Sequence, residues 1–173
     1  MQAMTLPARG QPASAASFAA TAEEHLDDVY GYLVYLTRDR SLAEDLAADT
    51  FEKALRHWSR FDPRRGSART WLCQIARTTA LDWFRAEERR HRREERAAVP
   101  DRLDAGFAEG LSPELEAALR ELSAGEREVI ALRVLLELDG EEAARVLGIS
   151  PTAVSTRLSR ALKKLEEKVS IHV

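Results

Sequence analysis

Apolar residues in this chain of 173 recur at intervals of three and four, and nowhere does a β-branched run alternate with polar residues as a strand requires. Such a pattern buries stripes rather than faces of sheets, so the expected fold class is all-α. Leu26, Val29, Tyr30, Leu33 and Leu36 mark the inner side of a first helix. Ser41 with Glu44 three residues on reads as a capping box. It would open a second helix whose buried face is Leu42, Leu46, Phe51, Ala54, Leu55 and Trp58. The segment Phe61 to Ser67 carries the Pro and Gly of a loop. A long third helix is expected from about Ser67 towards Arg93, with Trp71, Leu72, Ile75, Ala76 and Phe84 in the core.

Punctuation is denser in the C-terminal third. Ser112 before Pro113 gives a cap and a proline at the first helical position, where a missing N–H is harmless. Ser123 with Glu126 and Asp139 with Glu142 open two more helices, the second stopping near Gly148. Ser150-Pro151 starts a last helix running to about Val169. Composition shifts divide the chain. Residues 1–20, rich in Ala, Ser, Pro and Gly, are expected to form a disordered tail. Residues 21–96 form one small helical domain, 97–111 a flexible linker broken by Pro100, Gly106 and Gly110, and 112–173 a second small helical domain. With 45% hydrophobic and 32% charged residues, wholesale disorder is excluded. No window approaches 18 consecutive apolar residues, so no membrane insertion is expected. The single cysteine, Cys73, allows no intramolecular disulfide and fits a reducing, cytoplasmic location.

A formal charge of −3 excludes a uniformly basic nucleic-acid binder, so a DNA-binding surface has to come from segregation of charge along the chain. Segregation is present: residues 21–55 are net −6, 56–96 net +6, 97–142 net −8 and 143–173 net +4.

Three constellations stand out. Between Asp139 and Leu165, a small Ala144, a turn glycine at Gly148 and the packing positions Val154 and Leu158 make the pattern of a DNA-binding helix-turn-helix. The start of its second helix would present Ser150, Thr152, Ala153, Ser155, Thr156 and Arg157 to a major groove, with Arg160, Lys163 and Lys164 on phosphates. An ordinary helical hairpin with a solvated basic face is the plainer alternative. In the basic block, Thr70, Gln74, Arg77, Thr78, Leu81 and Arg85 share one side of a helix, flanked by Trp71 and Trp83. Arginines beside aromatics suit single-stranded DNA, whose bases stack on rings while cations hold the backbone. Against that, the tryptophans by themselves fit a core better than a binding face. On the second helix Asp45, Asp49 and Glu52 line up as a negative stripe that would repel DNA and suit a basic protein surface, unless it is simply solvated.

Enzyme signatures are missing. The four histidines are scattered without ligand spacing, Cys73 sits in an apolar helical pattern, and there is no phosphate loop or nucleophile elbow. No catalytic residue, metal site or cofactor is therefore expected.

Taken together, these residues resemble the extracytoplasmic-function (ECF) group of bacterial sigma factors in the sigma-70 family. Ala43-Glu44-Asp45-Leu46 through Thr50-Phe51 looks like the family's region 2.2. Phe61-Asp62-Pro63, Trp71-Leu72 and Ile75-Ala76-Arg77 through Leu81-Asp82 look like regions 2.3 and 2.4, and the helix-turn-helix looks like region 4.2. The chain departs from the family's common residues at Ala48, Thr78, Gly140 and Ala143, where Gln, Asn, an aromatic and a larger aliphatic are more usual. The resemblance implies a transcription initiation factor that brings core RNA polymerase to promoter DNA. Asp45, Leu46, Asp49, Phe51 and Glu52 would bind polymerase at the β′ clamp helices, and the C-terminal domain would meet the β flap. Phe61, Arg64, Arg65, Ser67, Arg69, Thr70, Gln74, Arg77 and Thr78 would recognise and melt the −10 element, the helix-turn-helix would read the −35 element, and an anti-sigma factor would be a further partner. A stand-alone helix-turn-helix regulator is the alternative, but it leaves the acidic stripe beside the Trp-Arg block without a joint explanation.

Overall fold

A computed structural model of the protein describes residues 15–94 and 112–170. Among the described residues the regular structure is entirely helical. The helices are α1 (Ala15–Glu24), α2 (Leu26–Thr37), α3 (Arg40–His57), α4 (Ala68–Glu94), α5 (Pro113–Glu121), α6 (Ala124–Ile130), α7 (Gly140–Leu147) and α8 (Pro151–Ser170). A 3₁₀ turn, Trp58–Arg60, follows α3, and a π-helical turn, Ala131–Leu135, extends α6.

Helices α2, α3 and α4 pack on one another around Val29, Leu33, Ala43, Leu46, Ala54, Leu72, Cys73, Ala76 and Ala80. The alanines matter because they let the helix axes approach closely. Helices α5 to α8 form a second group around Leu119, Val129, Leu132, Leu138, Ala143, Val146, Leu147, Val154 and Ala161. The groups are not separate beads: α4 packs along α7, and α2 touches α6 and its π turn. That second layer explains why Tyr32 and Tyr35 are buried on a face of α2 that periodicity alone leaves polar.

The C-terminal caps follow the sequence closely. Ser112 accepts from Leu115 N with Pro113 at the first helical position, and both Ser123–Glu126 and Asp139–Glu142 close reciprocal capping boxes. Gly148 ends α7 in the left-handed region at φ 67°, which a residue with a Cβ adopts only at a cost.

Three expectations fail nearer the N-terminus. Helix α3 is capped by Asp39, whose Oδ1 accepts from Leu42 N at 3.0 Å, so Ser41 and Glu44 lie inside the helix and form no capping box. The preceding turn decides this: Arg38 is left-handed at φ 56° and the Thr37 hydroxyl accepts from Asp39 N, leaving Asp39 extended at the boundary. Leu26 and Leu55, expected in the core, are 48% and 49% exposed, so each sits on the rim of its helix's apolar stripe rather than inside it. The expected disordered tail of 1–20 is too long, since α1 begins at Ala15. Its alanine-rich sequence favours helix, and Phe18 gives it an anchor, buried edge-on against Trp58 at a centroid distance of 5.4 Å. Residues 1–14 and the expected linker of 97–111 lie outside the described residues.

Replacing Phe18 with alanine empties the edge-on site on Trp58, and the expected loss of stability is about 3 kcal/mol, measurable by urea unfolding followed by tryptophan fluorescence. No change in stability would mean that α1 does not dock.

Candidate nucleic-acid interface

Two recesses collect most of the candidate DNA-binding residues. The first lies on the helix-turn-helix. Ser150 and, from α8, Thr152, Ala153, Thr156, Arg157 and Arg160 face the cap Ser123 and Glu126 of α6 across an open recess of about 520 Å³. Ser150 caps α8 by accepting from Ala153 N, which fixes the helix's first turn at the rim. Gly125 lies beneath Arg157, where an added Cβ would stand 3.1 Å from its Nη1. Ser155, Lys163 and Lys164 are exposed but do not line the recess. Lys164 instead donates to Glu126 at 2.6 Å, and Lys163 lies 3.8 Å from Glu167. Glu126 is a wall residue that the sequence marked only as a cap. The Lys164 bond, with Ser123 N donating to its other oxygen, pulls its carboxyl down to about 2.

The second recess, about 400 Å³, is formed by the loop after α3 and the first turns of α4. Phe61, Arg65, Ser67, Thr70 and Gln74 line it, together with Arg60, Asp62, Gly66, Trp71 and, from α7, Arg145. Its floor is an aromatic cluster in which Phe61 stacks on Trp58 at 5.0 Å and 9° and meets Trp71 at 5.3 Å. Trp83 lies apart, edge-on to Phe84. Thr78 is exposed one turn further along, its hydroxyl donating to Gln74 O at 2.9 Å. Arg64 points out of the recess, folded onto Asp62, whose carboxyl is held below its usual range chiefly by that bond. Arg69 faces the other way, 3.7 Å from Asp28 of α2. It sits one position before Thr70, so the helical turn carries it off the shared face.

Much of this α4 face is occupied by the second helical group. Glu142 accepts from the hydroxyls of Ser67 and Thr70, each at 2.9 Å, and Thr70 is buried beneath it. Gln74 donates to Arg145 O at 3.0 Å, while Arg145 reaches back to Arg65 O at 3.3 Å. Glu128 takes the Arg77 guanidinium through both oxygens, at 2.7 and 3.3 Å, and also accepts from Tyr32 at 2.9 Å. Burial opposes the charge on Arg77, yet the Glu128 bonds outweigh it and hold the pKa above its usual value. Burial and the adjacent Glu128 push the Tyr32 hydroxyl well up, so it stays a donor. Burial also opposes the charge on Glu142, but bonds from Asp139 N, Ser67 and Thr70 prevail and lower its pKa.

The α3 stripe is solvent-facing. Asp45, Asp49 and Glu52 are exposed, with Glu52 paired to Arg56. Leu46 is only 2% exposed and belongs to the core, which corrects its assignment as a contact residue; Phe51 is half-buried. Exposed Leu55 continues the stripe three residues beyond Glu52, and sequence reasoning missed it by placing it inside. The signal was there in the 45, 49, 52, 55 spacing.

Family comparison matches the two groups separately: Sigma-70 region 2 over residues 21–90 and Sigma-70, region 4 over residues 112–165. The chain is 31% identical over 156 residues to the ECF RNA polymerase sigma factor SigX of Bacillus subtilis, covering 83% of this chain and 79% of that one. It is 30% identical to SigM of the same organism, covering 82% and 88%. The chain belongs to the ECF group of the sigma-70 family. As such it is a transcription initiation factor. Among solved structures it resembles the sigma factor RpoE in complex with the anti-sigma factor NepR from Bartonella quintana, with a TM-score of 0.76, 25% identity and coverage of 89% and 97%. It also resembles CnrH in complex with the cytosolic domain of CnrY, with a TM-score of 0.67, 25% identity and coverage of 92% of each.

In this sigma factor, then, α1 to α4 are region 2 with its flank, and α5 to α8 are region 4. Cys73 is fully buried on the inner face of α4, and burial with the nearby Asp28 charge pushes its thiol up to about 12, so it is chemically quiet. Among the described residues no helix is long and apolar enough to cross a membrane.

The Glu126–Lys164 pair gives region 4 a pH dependence of known sign. Because the folded carboxyl titrates below its ordinary value, the pair's stabilisation is full above about pH 5 and disappears as pH falls towards 2. In Lys164→Met the Glu126 carboxyl should titrate nearer its ordinary value, and the chain should lose less stability over that window; carbon-detected NMR titration of the carboxyl carbons reads both ends of the comparison.

Proposed function

We propose that this sigma factor directs core RNA polymerase by three separated surfaces. The acidic stripe of α3, with Asp45, Asp49, Glu52 and the adjoining Leu55, docks on the β′ clamp helices. Region 4 meets the β flap and reads the −35 element as duplex through the α8 recess. The loop and first turns of α4 hold the −10 element, with the 400 Å³ recess receiving an extruded base against Phe61 and Trp71. The observation that carries this reading is the separation of charge into an exposed acidic helix face and two recesses edged with arginine and hydroxyl side chains, since an acidic stripe has no use on a surface meant for DNA. Phe51 contributes to docking through the part it leaves exposed, and Leu46 only by supporting the helix from within. The protein contributes specificity and strand opening, not catalysis, and works in the cytoplasm.

An anti-sigma factor is a further proposed partner, by similarity to the RpoE and CnrH structures. An apolar groove of about 670 Å³ between α2, the π turn and α8 supports it, for Val134, Leu135 and Leu162 are left about half exposed along its edge.

Run-off transcription with core polymerase and genomic promoter fragments tests the whole reading: transcripts should depend on the sigma factor. Reversing Asp45, Asp49 and Glu52 to lysine should abolish association with core polymerase in pull-down while circular dichroism stays unchanged, because these side chains lie off the apolar face. The two DNA sites should fail differently. Arg157→Ala should weaken initial promoter binding by about 1 to 3 kcal/mol if its guanidinium makes a bidentate base contact. Replacing Arg77 and Thr78 together by alanine should spare the closed complex and impair opening, and a pre-melted −10 bubble should restore transcription; permanganate footprinting on duplex and bubble templates distinguishes the outcomes. Equal defects on both would remove α4 from the melting step.

A further inference from the structure

We propose that Phe18 is a positioning residue for strand opening: from α1 it holds in place the aromatic floor on which an extruded −10 base is stacked. The proposal rests on the −10 role of the recess and adds to it a part played from outside. Phe18 does not line that recess, so its effect on a base held there is indirect. It also lies before residue 21, where the match to Sigma-70 region 2 begins. The path runs through ring contacts. Phe18 meets Trp58 edge-on at 5.4 Å and 67°, and Trp58 stacks on Phe61 at 5.0 Å and 9°. Both Trp58 and Phe61 meet Trp71, at 5.8 and 5.3 Å. Of these four rings only Phe61 and Trp71 line the recess.

Trp58 is the ring on which the others depend, and apolar packing alone orients it. It is 5% exposed, and among the described residues its Nε1 is buried with no hydrogen-bond partner. A buried N–H without a partner costs free energy that is recovered on reaching water, so the indole keeps its place only while its cover holds. Phe18 is part of that cover. It also keeps α1 on the domain, since Phe18 and Ala22, four residues apart, are the apolar side chains that the described part of α1 packs into the core. Without the Phe18 ring the indole gains a direction in which to turn towards solvent. Phe61 then loses its backing, because it is the extended residue that ends the 3₁₀ turn and its ring is ordered by the stack on Trp58. A floor that has to be ordered as the base arrives binds that base less tightly than one already ordered. Base capture therefore weakens although no group that touches the base has changed.

Run-off transcription and permanganate footprinting with reconstituted holoenzyme test this, on one promoter fragment used as a duplex and with its −10 element pre-melted. The bubble template counts assembled holoenzyme, so the duplex-to-bubble ratio does not depend on how much of a variant folds. A purely structural role for Phe18 would lower both signals alike. Phe61→Ala removes the floor itself and should lower the ratio about tenfold, the loss of one base-on-ring stack. Phe18→Ala should lower it about threefold, in keeping with one edge-on aromatic contact. Combined, the two should still give about tenfold and not the roughly thirtyfold of independent effects, because Phe18 acts only through a ring already lost. Phe18→Leu keeps an apolar cover on Trp58 and should recover most of the ratio. Permanganate-reactive thymines on the duplex should fall in step with it. An unchanged ratio in Phe18→Ala, multiplied defects in the double variant, or Phe18→Leu no better than alanine would each overturn the proposal. If Phe61→Ala itself leaves the ratio unchanged, the recess receives no base and the −10 reading falls together with the role of Phe18. If Phe61→Ala lowers the ratio and Phe18→Ala does not, the role of Phe18 falls alone.

Discussion

The contact of Glu128 with Arg77 and Tyr32 joins two helical groups that the sequence keeps about twenty residues apart, and the arrangement of every other surface follows from it. A carboxylate this enclosed is costly to bury, and only partners with good geometry on several sides offset that cost. Here they arrive from both neighbouring helices of region 2, the guanidinium from α4 and the hydroxyl from α2. Removing any one leaves charge or polar groups without water or partner, a loss of about 3 to 5 kcal/mol for a broken buried pair. Such a contact contributes little net stability, but it allows only one docking angle. With that angle set, α7 lies along α4, Arg145 joins the lining of the recess at the start of α4, and α8 turns its basic face outward.

Region 4 shows how short helices are made to hold. Helix α7 has eight residues, too few to persist alone, and it relies on a capping box at Asp139, a left-handed glycine at its end and small residues, Ala143 and Ala144, against its neighbours. Glu142 has two jobs in this small space. One of its oxygens closes the capping box on Asp139 N and the other accepts from Ser67 and Thr70 across the seam. The start of the helix-turn-helix and the attachment to region 2 are thus coupled through one side chain.

Reading from sequence worked best where one residue type has one use. Proline after serine, serine or aspartate three before glutamate, and glycine after the last apolar residue each have a local chemical reason, and region 4 was accordingly legible almost to the residue. It worked worst where partners come from far along the chain. Ser41 with Glu44 offered a capping box as plausible as the real ones, but a left-handed Arg38 moved the helix start to Asp39. Leu26 and Leu55 fit the apolar stripe by spacing, yet the packing leaves each about half exposed. Phe18 lay in a stretch whose composition reads as tail, and only the aromatic cluster at Trp58 gives it a reason to be ordered.

Periodicity, caps and net charge are properties of short segments, and they alone carry the helical class, the capped helix-turn-helix with its exposed Thr152 and Thr156, the acidic stripe of α3 and the alternation of charge. Tertiary structure decided which face of α4 is covered and by what. Arg69 went to Asp28 and Arg77 to Glu128, although both stood in the same basic block, since a helix advances about 100° per residue and only one of those directions meets region 4. No local pattern records the docking of two helical groups. It depends on the summed attraction of an acidic and a basic segment and on three side chains, Tyr32, Arg77 and Glu128, that meet only after each group has folded.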